Sequence, residues 1–206
     1  MAVAFDARTQ ITGSAVTSIT VTHTPVGTPT LVTMSVTGGT TANAVSGITY
    51  GGVACTKLFR ANAQANAEIW YLISPAAGAQ SVVCTFTASV NNPCMQVQTY
   101  LGSNTSTPFG THQTSSGGIA STGTATPAVT SATDELVVDV LLTRSGGTSH
   151  VLGAGQTNSN IVNVNSGAAY SAVSQEAGAA SVTMSWTWSD TGDATFEHLA
   201  APIKVA

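Results

Sequence analysis

Four histidines, His23, His112, His150 and His198, lie scattered among many serines and nine carboxylates. A Ser/His/Asp hydrolase needs the three side chains wired in a relay, with the base between nucleophile and orienting acid. The chain has no G-x-S-x-G elbow to present such a serine and no H-E-x-x-H for a zinc hydrolase. The sequence therefore assigns no catalytic residue, and the expectation is a non-enzymatic protein. Glycoside hydrolysis would need two carboxylates facing each other across a cleft. Glu68 beside Trp70, and Asp139 inside an apolar run, are the pair with suitable strand placement. The expectation is that Glu68, at the start of its strand, is half-exposed, and that Asp139 sits at a subunit contact or pairs with Arg144.

Asp190, Asp193 and Glu197 fall in the segment SDTGDATFE, with Gly192 to tighten the turn. Oxygen ligands on a glycine-containing turn are what Ca²⁺ requires, although the spacing is not that of an EF-hand. These three are the candidate metal ligands, and Ca²⁺ is the candidate cofactor; no other is expected. For a stacking ligand, Tyr50, Tyr100 and Tyr170 stand near turns and are the candidate exposed platforms. Trp70, Trp186 and Trp188 read as core. Cys55, Cys84 and Cys94 lack CxxC spacing and read as small buried hydrophobes, with Cys84 and Cys94 the pair to check for a bridge.

The elements that must position these residues are strands. Only 7% of the 206 residues are charged, while 43% are hydrophobic, which argues for a folded chain rather than disorder. Thr, Val and Gly favour pleated surfaces and tight turns. The stretch Ile48–Pro75 organises the rest. It carries a Gly51-Gly52 hairpin signal and a strand at Glu68–Ser74 with apolar residues on both faces. Asp134–Thr143 is a second such strand. Leu31–Thr37 alternates, which predicts Val32, Met34 and Val36 inward and Thr33, Ser35 and Thr37 outward. Ser181–Ser189 predicts Val182, Met184, Trp186 and Trp188 inward. Gly102–Thr126 predicts an edge strand and a loop. Arg60–Ala67 and Ala172–Ala180 are the only helix-permissive windows, each one turn long. The fold class that follows is all-β: a two-sheet antiparallel β-sandwich of jelly-roll type with little or no helix. One domain spans 1–206, with 1–17 as an extended N-terminal arm, and no internal repeat stands out.

Charge narrows the partners. A formal net charge of −4 with five Lys+Arg leaves no cation cluster for nucleic acid or an anionic membrane surface. No window is apolar for the length of a membrane span. MAVAFDARTQ has no basic and apolar leader pattern. The expectation is release by a route other than a classical signal, such as a virus particle freed by lysis, or no release at all.

The segments ITYGGVACTKL (Ile48–Leu58), AEIWYLISPAAGAQSVVCTF (Ala67–Phe86), ATPAVTSATDELVVDV (Ala125–Val140) and the closing ASVTMSWTWSDTGDATFEHLAAPIKVA resemble a recurring β-sandwich module. It is the concanavalin-like or jelly-roll module of phage virion proteins and of bacterial surface or secreted proteins. The resemblance covers the chain from about Ile19 onward. It implies a structural virion role, such as capsid decoration, head-fibre or tail component, acting through contacts with copies of itself and other virion proteins. The alternative it implies is a carbohydrate-binding or adhesin module on a virion, an extracellular protein or a cell surface, with a host-surface glycan as partner.

Overall fold

The computed structural model describes residues 1–38, 45–119, 122–144, 149–165, 169–189 and 194–206. Among them there is no helix; the windows Arg60–Ala67 and Ala172–Ala180 are strand and loop. The first half supplies β1 (Ala4–Thr12), β2 (Val16–His23), β3 (Leu31–Thr37), β4 (Val45–Tyr50), β5 (Val53–Ala54), β6 (Thr56–Ala61), β7 (Ala67–Ile73), β8 (Gln80–Val90) and β9 (Cys94–Leu101). The second half supplies β10 (Gln113–Ile119), β11 (Thr122–Ala125), β12 (Ala128–Val129), β13 (Leu136–Arg144), β14 (Ser149–Leu152), β15 (Thr157–Asn163), β16 (Tyr170–Ala177), β17 (Val182–Thr183), β18 (Trp186–Ser189) and β19 (Ala194–Ile203).

These strands build an all-β antiparallel sandwich, and they build it twice. The large sheet of the first half runs β1-β9-β3-β7-β6, and its small sheet runs β2-β8-β4-β5. The large sheet of the second half runs β10-β19-β13-β16-β15, and its small sheet runs β11-β18-β14 with β12-β17 continuing it. The order is the same in both, except that β5 has no counterpart among the described strands of the second half. Apart from the hairpins β4/β5, β6/β7 and β15/β16 and the interrupted pairs β11/β12 and β17/β18, the chain crosses from one sheet to the other at each step, which is jelly-roll connectivity. A trace survives in sequence. AGAQSVVCTF at Ala77–Phe86 and AGAASVTMSW at Ala177–Trp186 share five of ten residues. The expectation of one sandwich without a repeat is corrected here, because strands carry only short, degenerate patterns.

The two large sheets stack face to face, so the molecule is four layers deep. Ile19, Val32, Met34, Ile48, Trp70, Val82 and Phe86 fill the first half's own core. Leu141, Trp186, Trp188 and Phe196, with Val137, Val182 and Met184 beside them, fill the second. Between the large sheets lie Leu31 and Tyr100 against Leu136, Val138 and Ile203, and Ile69 against Val140, Val173 and Leu199. Trp186 and Trp188 face inward as their alternation predicts.

The stacking also explains the misread faces. Val32, Met34 and Val36 do face their own small sheet, but Thr33, Ser35 and Thr37 are buried too, under the second sandwich. With Gln96, Gln98, Ser171 and Gln175 they form a buried polar strip between apolar patches. A mixed polar and apolar contact of this kind resembles a subunit interface more than a core. Residues 1–17 are not an arm, because β1 pairs along β9 from Ala4↔Leu101 to Thr12↔Cys94. The edge strand expected within Gly102–Thr126 is β10.

Local chemistry fits the elements. Gly51 and Gly52 both have positive φ, at 56° and 82°, as a two-residue hairpin between β4 and β5 requires. Pro127 interrupts the small sheet between β11 and β12, because it has no N–H to give the ladder; its carbonyl instead accepts from Met184 N at 3.1 Å.

Candidate functional site

Asp139, Ser174 and His198 do meet, in the core of the second sandwich. They come from three neighbouring strands, β13, β16 and β19, and Trp186 reaches them from the small sheet. Ser174 donates to Asp139 Oδ1 through its N (2.5 Å) and its Oγ (2.9 Å). Trp186 Nε1 donates to Asp139 Oδ2 at 2.7 Å, and His198 Nε2 lies 2.9 Å from the same oxygen. Gln156 Nε2 then donates to Ser174 Oγ at 2.6 Å. The residue types are those of a hydrolase, but the wiring is not. A nucleophilic serine must bond to the histidine, whereas Ser174 bonds to the acid. All four side chains are buried. The cluster's physical work is to tie the large sheet to the small one, since a buried carboxylate needs several donors.

Glu68 is the counterpart in the first sandwich. It is fully buried rather than half-exposed. Trp70 Nε1 donates to its Oε2 at 2.9 Å, and Val45 N donates to its Oε1 at 2.9 Å. Arg60 Nε lies 3.6 Å away and Lys57 Nζ 3.9 Å away, with Lys57 also 5.2 Å from the centre of the Trp70 ring. Asp139 binds Trp186 and His198 rather than Arg144 or a subunit contact. Glu68 faces the first small sheet and Asp139 the second, on opposite outer faces of the stacked pair. The two carboxylates suggested by strand placement therefore share no cleft.

Of the candidate metal ligands, Asp190 and Asp193 lie outside the described residues. Glu197 is in β19, buried, and turned toward the first half. Its carboxylate accepts from the backbone amides of Gln64 and, at 3.4 Å, Ala65. Burial pushes Glu197 above the ordinary carboxylate range, and the amides of residues 63–65 oppose that shift. Among the described residues, no group of three metal-type side chains converges.

The tyrosine platforms are corrected by burial. Tyr50 and Tyr100 are 1% and 0% exposed. Burial, helped by Asp6 and Cys55, pushes the Tyr50 hydroxyl up to about 12. Tyr170 is half-buried, with its ring 4.6 Å from that of His150. All three cysteines are free; Cys84 faces the first core and Cys94 the stacked interface, so the pair points apart.

What the sequence reading missed is the seam between the halves. The sheets stack with β1 over β15 on one side and β6 over β10 on the other, as the two ends of an isologous contact would. The β1/β15 side is closed. Arg8 donates to the carbonyls of Asn158 (2.5 Å) and Ser159 (3.3 Å), and Asn160 bridges to Gln10 and Gln96 (2.8 Å to the latter). The β6/β10 side is open. His112 packs on Phe59 with ring centres 3.9 Å apart, and beside them a cleft of about 230 Å³ is lined from both halves. A larger groove of about 580 Å³ lies beside Trp70, Ile48 and Cys55, but no charged side chain lines it.

The chain matches no family model, no curated protein and no solved structure.

Proposed function

We propose that this is a non-enzymatic structural protein of a virion, a capsid decoration, head-fibre or tail component, which acts through contacts with copies of itself and with other virion proteins. The observation that carries the reading is where the ionisable groups are spent. Asp139, His198, Glu68, Glu197 and Arg8 all serve internal bonds. The outer strands β10 and β15 instead expose several short hydroxyl and amide side chains, Thr114, Ser116, Thr157, Asn158 and Asn163. Such side chains lose little rotamer entropy when another surface packs on them. The test is mass spectrometry and imaging of purified particles. The reading requires the chain to be present at a fixed copy number at a defined place; a chain found only free in the lysate overturns it.

A second reading, a carbohydrate-binding or adhesin module on a virion or cell surface, is favoured by the open seam. Its cleft draws polar groups from both sandwiches, and clefts between packed units are where ligand sites concentrate.

A further inference from the structure

We propose that the β6/β10 cleft binds one neutral sugar unit of a glycan, a proposal that rests on the adhesin reading. The first argument is the asymmetry of the seam. The same stacking geometry occurs on both sides, yet Arg8, Gln10 and Asn160 stitch one side shut while the other keeps a cleft.

The second argument is the chemistry of the lining. Glu197 brings a buried carboxylate to the cleft wall. The amides of Gln64 and, at 3.4 Å, Ala65 both donate to its Oε1. A carboxylate offers about four acceptor positions, so capacity remains for a ligand donor. Arg60 stands on the same wall, but its Nε donates to Asn66 at 2.5 Å and its charge faces Glu68 at 3.6 Å. An anion entering the cleft therefore meets the Glu197 charge, and among the described residues that line it no uncommitted cation offsets that charge. A cation finds a single carboxylate, too few ligands to hold it, with two backbone amides already on one oxygen. The ligand that fits is neutral and both donates and accepts hydrogen bonds. Asn62, Thr114 and Ser116, all exposed at the rim, can do both in return. Phe59 supplies an apolar wall for the C–H face of a ring. At about 230 Å³ the cleft is below the roughly 300–1,000 Å³ of drug-sized sites, which suits a single monosaccharide unit.

The test uses the full chain. Saturation-transfer NMR and calorimetry are run with the methyl glycosides of glucose, galactose, mannose and N-acetylglucosamine, with free amino acids as a zwitterionic control, beside a glycan array. At least one glycoside should bind at about millimolar Kd, the strength expected of so small a ligand. Ser116→Trp, on the exposed edge strand, should fill the cleft and weaken that glycoside by about tenfold or more. Asn62→Ala should weaken it without filling space. If a glycan from the array binds wild type and both variants equally, the cleft is wrong while the adhesin reading stands. If no glycoside and no arrayed glycan binds, both fall. Binding of amino acids without sugars also overturns the proposal.

Discussion

The two sandwiches share a strand order and differ in how they bury a carboxylate. In the first, Glu68 sits under Trp70 with Lys57 and Arg60 beside it, and both cations reach solvent, at 41% and 21% side-chain exposure. In the second, Asp139 sits under Trp186 with His198 and Ser174, and every partner is dry. The indole N–H is common to both; the rest of the coordination is not, and the two acids stand on different strands. Each sandwich thus gives one buried indole a carboxylate acceptor, on a different strand in the two halves, while the buried Trp188 indole has no such acceptor. The dry version is the more vulnerable, because nothing but protein can satisfy it if one member is lost.

That comparison can be broken by substitution. Asp139→Ala strands the Trp186 indole, the Ser174 amide and His198 in the core, and should cost about 3–5 kcal/mol in urea denaturation. Glu68→Ala strands Trp70 and the Val45 amide, but Lys57 and Arg60 can turn to water, so about 1–3 kcal/mol is expected. Equal costs for the two would remove the distinction between dry and solvent-reaching sites.

The two sides of the seam offer a smaller contrast. Arg8→Ala removes charge-assisted bonds to two carbonyls of β15 and should cost about 1–2 kcal/mol, with faster hydrogen exchange in β15. His112→Ala loses one half-exposed ring contact with Phe59, worth about 0.5 kcal/mol. If His112→Ala costs more than Arg8→Ala, the β6/β10 side is not the open one.

The gentlest probe is pH, where the halves pull in opposite directions. His23, in the first half, is buried against Thr9 and Thr99, and burial lowers its folded-state pKa despite Asp6. Its contribution is present above the ordinary imidazole value of about 6.5 and is lost as pH falls through the lower folded value. Glu197, in the second half, is raised by burial. Its contribution is complete below the ordinary carboxylate value and is lost as pH rises through the higher folded one. Glu176 shifts in the same sense. Urea midpoints measured across the acid range should therefore fall less steeply on acidification in His23→Gln, and more steeply in Glu197→Gln, than in wild type. The same slope in all three would show that neither group is held as described.

Alternation made strand after strand legible, and so did the Gly51-Gly52 turn and the inward tryptophans, because those signals are local. The apolar runs at Glu68–Ser74 and Asp134–Thr143 announced strands covered on both sides. What covered them was not legible. Thr33, Ser35 and Thr37 read as a wet face because polarity in a strand usually means water, and here it means a second polar sheet. The same holds for Tyr50 and Tyr100, which lie near turns in sequence yet are covered from above in space. The Glu197 contact was beyond reach for a different reason. Its partners are backbone amides more than a hundred residues away, and backbone amides carry no sequence signature.

The sequence by itself settled that this chain is extended, all-β and layered, since the period of two in its side chains is written residue by residue. Only the tertiary structure decided that the layers number four, that one jelly roll is laid against another, and that Asp139, Ser174 and His198 form a staple rather than a relay. Those outcomes depend on which faces and strands come to lie opposite each other. That pairing is chosen by the summed burial of the whole chain and is not written in any one stretch of it.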